Sequence, residues 1–277
     1  MSWEQNYLNL LDEVITAETR DTRAGPAHSV FGKTLVIPNI KHCGFPLMTT
    51  RKIFYKPIFG ELAAFLRGTE DLSTFKNFGC NYWDYNAGQW DWNRGQPLDK
   101  LEVGKIYGYQ WRKWDDHNTC SHTDQLASLI QGLKNDPEGR RHVVSAWRPD
   151  QLEDMCLPPC HIMFQCYARS EGALDMIVYM RSVDLCLGLP ADITLYAALL
   201  VLLAHETDRW PGNLTFMLGD THIYCAHDNN YHVQRARPIV GSPRYKLDAS
   251  ATINNFRPEH LEIFGYQPQE IIKYELL

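Results

Sequence analysis

The segment Leu157-Pro158-Pro159-Cys160-His161 puts a thiol at the end of a proline-stiffened loop, just where an apolar run begins. The prolines fix the loop's approach and limit the thiol's excursions. A thiol is a useful nucleophile where cationic or dipolar neighbours stabilise its thiolate. On spacing alone, Cys160 also reads as a small buried hydrophobe. Arg181 follows the apolar run Met176-Ile177-Val178-Tyr179-Met180 and precedes Ser182. An unpaired guanidinium at a strand end beside the core is costly, and a phosphate held by Arg181 and the Ser182 hydroxyl would offset that cost. Taken singly, Arg23 and the pair Arg140-Arg141 read as solvated surface charges. Glu61 interrupts the apolar stretch Phe59-Gly60-Glu61-Leu62-Ala63-Ala64-Phe65-Leu66. A carboxylate is expensive to bury there, which points to handling a proton or ordering water. His222 and Tyr224 alternate along an extended segment, so they share one face and can hold sugar hydroxyls; a solvent-facing pair at a strand edge is the plainer alternative.

Composition bounds what these groups can act on. With 277 residues, 44% apolar and 22% charged, the chain is an ordinary globular one and not a disordered tail. Its longest apolar stretch, residues 193–204, is too short for a bilayer and predicts a buried helix, so no membrane span is expected. The start carries Glu4, Asp12 and Glu13 and has no basic segment before an apolar block, which predicts a cytoplasmic protein without a secretory signal. The eight cysteines, Cys43, Cys80, Cys120, Cys156, Cys160, Cys166, Cys186 and Cys225, follow no disulfide framework and form no C-x-x-C pair, so reduced thiols and no metal are expected. A net charge of −6 argues against a long nucleic-acid groove; an anionic ligand should be small and held locally.

The elements that must position these groups are coarsely legible. Leu8, Leu11 and Ile15 recur at helical spacing and predict a helix over residues 3–19, broken across 20–29. A second helix runs from Pro57 to the stop at Gly68, and a third over 121–133, ended by Asn135-Asp136-Pro137. The Trp-rich polar stretch 81–114, with Gly88, Gly95 and Pro97, reads as an active-site loop. Residues 142–147, 161–168 and 174–180 predict strands, the last two forming an antiparallel pair across Glu171-Gly172. A helix over 191–205, apolar nearly all round, belongs in the interior, and 214–218 is another strand. No repeat or linker divides the chain, which predicts a single α+β domain over residues 1–277.

Several motifs, in order, carry a resemblance. Gly44-Phe45-Pro46-Leu47, Phe65-Leu66-Arg67-Gly68, Tyr107-Gly108-Tyr109-Gln110-Trp111-Arg112, Arg140-Arg141, the Cys160 segment, Tyr179-Met180-Arg181-Ser182-Val183-Asp184, Leu187-Gly188-Leu189-Pro190, Gly219-Asp220-Thr221-His222-Ile223-Tyr224 and Gly265-Tyr266 resemble the thymidylate synthase family from about residue 7 onward. The resemblance implies an α+β fold with a mixed sheet, sheets packed back to back in a homodimer, a nucleoside monophosphate substrate and 5,10-methylenetetrahydrofolate as cosubstrate. In that scheme Cys160 attacks C6 of a pyrimidine, and C5 captures the one-carbon unit, leaving an exocyclic methylene. Matching positions imply a phosphate clamp of Arg23, Arg181 and Ser182, with Arg140 and Arg141 lent by the partner subunit. His222 and Tyr224 would hold the sugar, Glu61 and Tyr107 would manage water and protons, and Trp83, Asp184, Leu157 and Arg51 would meet the folate.

Two departures bear on the substrate. Where the family pattern ends in Phe-Asn-Ile, this chain has Ala191-Asp192-Ile193. An Asn amide accepts from uracil N3–H and donates to O4; cytosine reverses the pattern. An Asp carboxylate accepts from the cytosine amino group and can share a proton with N3, whereas facing uracil it leaves O4 unpaired. Such mismatches discriminate by about 10⁴-fold in a dry site. Met180 stands where thymidylate synthases carry Gln, which reads as a neutral core replacement or as a likeness to the phage deoxycytidylate hydroxymethylases. In those enzymes water captures the methylene and yields 5-hydroxymethyl-dCMP. Ser182 favours dCMP over CMP. Trp83, Leu157 and His161 resemble the family's water shield, which keeps a dCMP 5-methylase or a dUMP-using thymidylate synthase as alternatives, while Ala191 in place of a bulky Phe opens room for water. A non-catalytic nucleotide- or RNA-binding relative is the reading from another class.

Overall fold

The computed structural model describes residues 2–95, 101–116 and 121–275, so Pro97 and Cys120 lie outside the described residues. Ser2 accepts the Gln5 N–H and starts α1 (Trp3–Ile15), which buries Tyr7, Leu8, Leu11 and Val14 along one face. The helix stops at Ile15, short of residue 19, because β1 (Thr19–Thr22) folds back on the start of β2 (Gly25–Ile37). A hairpin therefore stands where a simple break was expected.

Two short helices, α2 (Ile40–Cys43) and α4 (Leu72–Asn77), flank the predicted core helix α3 (Tyr55–Arg67). Gly68 ends α3 at φ 58°, and a Cβ on it would lie 2.7 Å from the Arg112 Cβ. The left-handed turn and the close approach both require glycine. The stretch 81–114 is not a loop. It holds α5 (Asp84–Asn93) and α6 (Tyr107–Arg112), the latter packed on α3. Its aromatic residues Trp83, Tyr107 and Trp111 are buried against Phe65, which is why a segment polar in composition folds inward. Residues expected to open the third helix instead pair as β3 (Trp114–Asp116) with β4 (Ser121–Thr123), and α7 (Gln125–Asn135) begins after Asp124, which accepts the Ala127 N–H at 2.9 Å.

β5 (Val143–Ser145), β6 (His161–Ala168), β7 (Ala173–Asp184) and β8 (Trp210–Tyr224) complete a six-stranded mixed sheet in the order β1-β2-β8-β7-β6-β5. β6 and β7 pair antiparallel as predicted. β7 and β8 run parallel, a pairing that needs a crossover, and α8 (Gly188–Glu206) supplies it. Pro190 lies in the first turn of α8, where its missing N–H costs nothing. α8 is long and apolar enough to cross a bilayer, yet 78% of that window is buried in the protein; it is the core helix the sequence predicts. α9 (Asp228–Arg235) and a ribbon of β9 (Arg244–Leu247) with β10 (Leu261–Phe264) follow.

This topology brings the chemistry-bearing segments to one end. β7 and β8 are parallel, so Arg181, Ser182 and Asp184 finish beside His222 and Tyr224. β6 is antiparallel to β7, which sets its start, next to Cys160, at the same end; β2 is antiparallel to β8, which brings the Arg23 turn there too. α8 leaves β7 at this end and carries Asp192 in its first turns. On the helix side of the sheet Val178, Met180, Phe216 and Leu218 are buried, while Val36, Val143, Tyr167, Ile177 and Met217 alternate to the opposite face and are exposed.

Candidate active site

Cys160 is held from two sides. Its N–H donates to the Tyr107 hydroxyl at 2.8 Å, and the Arg181 guanidinium donates to the carbonyls of Pro159 at 2.7 Å and Pro158 at 3.1 Å. Arg181 therefore has protein partners, and a phosphate is not needed to explain its position. Two of its five N–H donors fasten the proline loop, which leaves others for a ligand. Burial raises the Cys160 thiol above its ordinary value; the nearby Arg181 charge opposes that shift and the Asp192 carboxyl adds to it. An anion bound at Arg181 would offset that charge and raise the thiol further.

Glu61 and Trp83 form a second group. The Trp83 indole N–H donates to a Glu61 carboxylate oxygen at 2.8 Å, and burial on α3 still pushes Glu61 up to about 7. At neutral pH it is poised between acid and base. Asp192 lies deeper. Burial, then the charges of Glu61 and Asp184, hold its carboxyl far above the usual carboxylate range, so it keeps its proton. One of its oxygens faces His161 Nε2 at 3.5 Å. Burial lowers His161 to about 3, which makes the ring neutral, and its Nδ1 lies 2.7 Å from the Tyr196 hydroxyl. Burial also raises Tyr196, so its hydroxyl keeps its proton and is able to donate to Nδ1 or accept from it. The Tyr107 ring stacks on His161 with centroids 3.9 Å apart and fixes its plane.

At the other side of the cluster the His222 and Tyr224 rings are neighbours, 5.0 Å between centroids, as the alternation predicts. Asp220 accepts from His222 Nδ1 at 3.0 Å and from Ser29 at 3.1 Å. Burial and Asp184 raise Tyr224, and the Arg23 charge opposes them, which places the β1–β2 turn against the sugar-side residues. Ser182 is half-buried beside Asp220 in the β7–β8 register. The Asp184 carboxylate accepts the Cys186 N–H at 2.7 Å. Arg51 is buried, donates to the Cys186 carbonyl and lies over the Tyr274 ring, 4.9 Å from its centroid. Leu157 is half-buried against the core. Arg140 and Arg141 are exposed just before β5, the sheet's outer strand, and one chain does not bring them to Cys160.

A thiol, two carboxyls with raised proton affinity and the Arg181 and Arg23 guanidiniums at one sheet end suit covalent chemistry on a small anionic substrate. Residues 5–277 match the thymidylate synthase family. The chain is also 36% identical over 288 aligned residues to a protein named thymidylate synthase 1/2 from Encephalitozoon cuniculi (strain GB-M1), an alignment covering 99% of this chain and 97% of that one. The chain belongs to the thymidylate synthase family. It is thus one of a family of pyrimidine C5 one-carbon transferases that bind a nucleotide, take methylenetetrahydrofolate as cosubstrate and act as dimers.

Within this thymidylate synthase fold the side chains that sequence reasoning missed are those with apolar neighbours. Tyr196 follows Asp192 by four residues and so shares its face of α8, a spacing that could have disclosed the Asp192-His161-Tyr196 chain. Asp220 and Ser29 carry no comparable signal, since they meet only through the β2–β8 register.

Proposed function

We propose that this family member hydroxymethylates dCMP, forming 5-hydroxymethyl-dCMP as a single catalytic domain over residues 1–277. The observation that carries the reading is the Asp192 carboxyl, half-buried in the first turns of α8 within 3.5 Å of His161 Nε2. One Asp192 oxygen lies 3.5 Å from His161 Nε2, and in this reading the proton sits on the other. That O–H donates to cytosine N3, and the first oxygen accepts from the N4 amino group. Uracil meets the same pair with donor against donor and acceptor against acceptor, which leaves two buried polar groups unpaired.

The remaining groups take roles consistent with their positions. Cys160 attacks C6; Arg181, Arg23 and Ser182 hold the phosphate, and His222 and Tyr224 hold the sugar. Glu61, with an affinity near neutrality, passes protons to and from the ring while Tyr107 anchors the Cys160 backbone. The residues fit a folate: Trp83 and Leu157 offer apolar surface, and Asp184 is a half-buried carboxylate with one oxygen engaged by the chain. When bound, the folate supplies the one-carbon unit. Ala191 beside Asp192 is small and half-buried, which supports entry of the water that would complete the product. A second copy of the chain would cover the exposed apolar face of the sheet and lend Arg140 and Arg141 to the phosphate clamp.

The test is to give the purified protein equal dCMP and dUMP with methylenetetrahydrofolate and weigh the products by mass spectrometry. 5-Hydroxymethyl-dCMP is the expected product. The name of the 36% identical relative makes dUMP the competing arm, and dTMP as the main product would overturn the role of Asp192. Methyl-dCMP would keep the base assignment and refute water capture.

A further inference from the structure

Beside the site, and outside the roles given above, His28 of β2, Cys225 just past β8 and Asp228 at the start of α9 converge. His28 Nε2 lies 3.4 Å from Asp228 Oδ2 and 3.7 Å from Cys225 Sγ. On its other side His28 Nδ1 is 3.2 Å from the Ala17 carbonyl, which can only accept, so Nδ1 carries the ring proton. Nε2 then faces a carboxylate and a sulfur, so three ligand types that zinc takes meet at one place. A second observation points the same way: Asp228 Oδ1 is buried and has no hydrogen-bond partner.

We propose that His28, Cys225 and Asp228 bind a zinc ion through three protein ligands. Zinc bonds of about 2.0–2.3 Å at tetrahedral angles place ligand atoms about 3.3–3.6 Å apart, close to both measured separations. The Ala17 carbonyl holds the imidazole in the tautomer that leaves Nε2 free, as backbone acceptors do for zinc-bound histidines. Cys225 binds as the thiolate, its proton passing to solvent. The side chains of His28 and Asp228 are 17% and 41% exposed, so the ion has an entry path and a fourth position open to water. Sequence spacing hides the site because its ligands come from residue 28 and residues 225–228.

The ion would tie three elements next to the sugar-side residues. In the β2–β8 register Ala27 lies opposite Tyr224 and His28 opposite Ile223, so metal at His28 clamps the hairpin that carries Arg23 to the strand that carries Tyr224. A neighbouring trio, Asp184, Cys186 and His227, is the poorer site. Cys186 and His227 are fully buried, and the Arg51 guanidinium sits beside them.

Cobalt titrated into the metal-free, full-length protein tests this. One equivalent should produce the visible bands of a tetrahedral site together with a thiolate-to-cobalt charge-transfer band. Cys225→Ser should abolish the charge-transfer band, and His28→Gln and Asp228→Asn should each weaken zinc binding at least about tenfold by chelator competition. Zinc should raise the melting temperature of the unmodified chain and leave that of Asp228→Asn unchanged. Absence of the bands in the unmodified protein, or bands that survive Cys225→Ser and vanish in Cys186→Ser, would overturn the assignment.

Discussion

Glu61 and Asp192 are two carboxyls close enough to feel each other's charge, and burial raises both. For Glu61 the consequence can be signed. Its folded-state affinity, about 7 against an ordinary 4.5, means that the folded chain holds the proton more tightly than the unfolded chain. The stability this contributes is complete below pH 4.5 and is lost as pH rises through about 7, by roughly 3 kcal/mol at most. Glu61→Gln should therefore raise the melting temperature by several degrees at pH 8 and leave it unchanged at pH 5, and the neutral-pH limb of the rate profile should vanish with it. In the proposed reaction Asp192 works by polarity instead of charge. Asp192→Asn should swing preference toward dUMP by about 10²-fold or more, measured as the ratio of kcat/KM values. Tyr196→Phe, which removes the hydroxyl that holds His161 Nδ1, should narrow the discrimination against dUMP in the same assay without reversing it. Unchanged selectivity in both would mean that the base is read elsewhere.

At the scale of elements, the site depends on how closely α6 approaches α3. A Cβ on Gly108 would lie 2.4 Å from the Phe65 carbonyl oxygen and 2.5 Å from its Cα. Both are backbone atoms and cannot yield without moving a helix. Gly108→Ala should cost about 1–3 kcal/mol of stability. It should also lower kcat, because Tyr107 rides on α6 and Glu61 on α3; calorimetry and steady-state kinetics would check the two effects, and loss of stability alone would uncouple packing from catalysis. That contact also shows what the sequence discloses. Glu61, Arg181 and the Cys160 loop were legible because each puts an expensive or constrained group in an apolar run. The partners of Arg181 were not, because they are backbone carbonyls that any sequence supplies. The strand Thr19–Thr22 was hidden for a similar reason: all its side chains are exposed, so no alternation marks it, and only pairing with β2 makes it a strand. α6 was hidden by composition, since Tyr107 and Trp111 bury large rings while carrying polar groups, and α5 was hidden because it buries only Ala87 and Asp91.

For the whole molecule, one chain gathers Cys160, Asp192 and Arg181 at one sheet end but leaves Arg140 and Arg141 away from them. Arg140 and Arg141 stand exposed by the outer strand, and Val36, Val143, Tyr167, Ile177 and Met217 leave an apolar sheet face uncovered. A two-fold pairing on that face would repeat the same contacts from both sides and bring each chain's arginines toward its partner's pocket. Ile177→Lys, which puts a charge on the face without touching the pocket, should shift the protein to monomer in sedimentation and abolish turnover together. The sharper test is complementation. Cys160→Ala and Arg141→Ala should each be inactive alone, and mixing equal amounts after mild dissociation should restore about a quarter of the unmodified activity. Half of the reassorted dimers are then mixed, and each mixed dimer has one site with an intact thiol and an intact partner arginine. No recovery, with mixed dimers shown to form, would mean that Arg141 serves the site of its own chain.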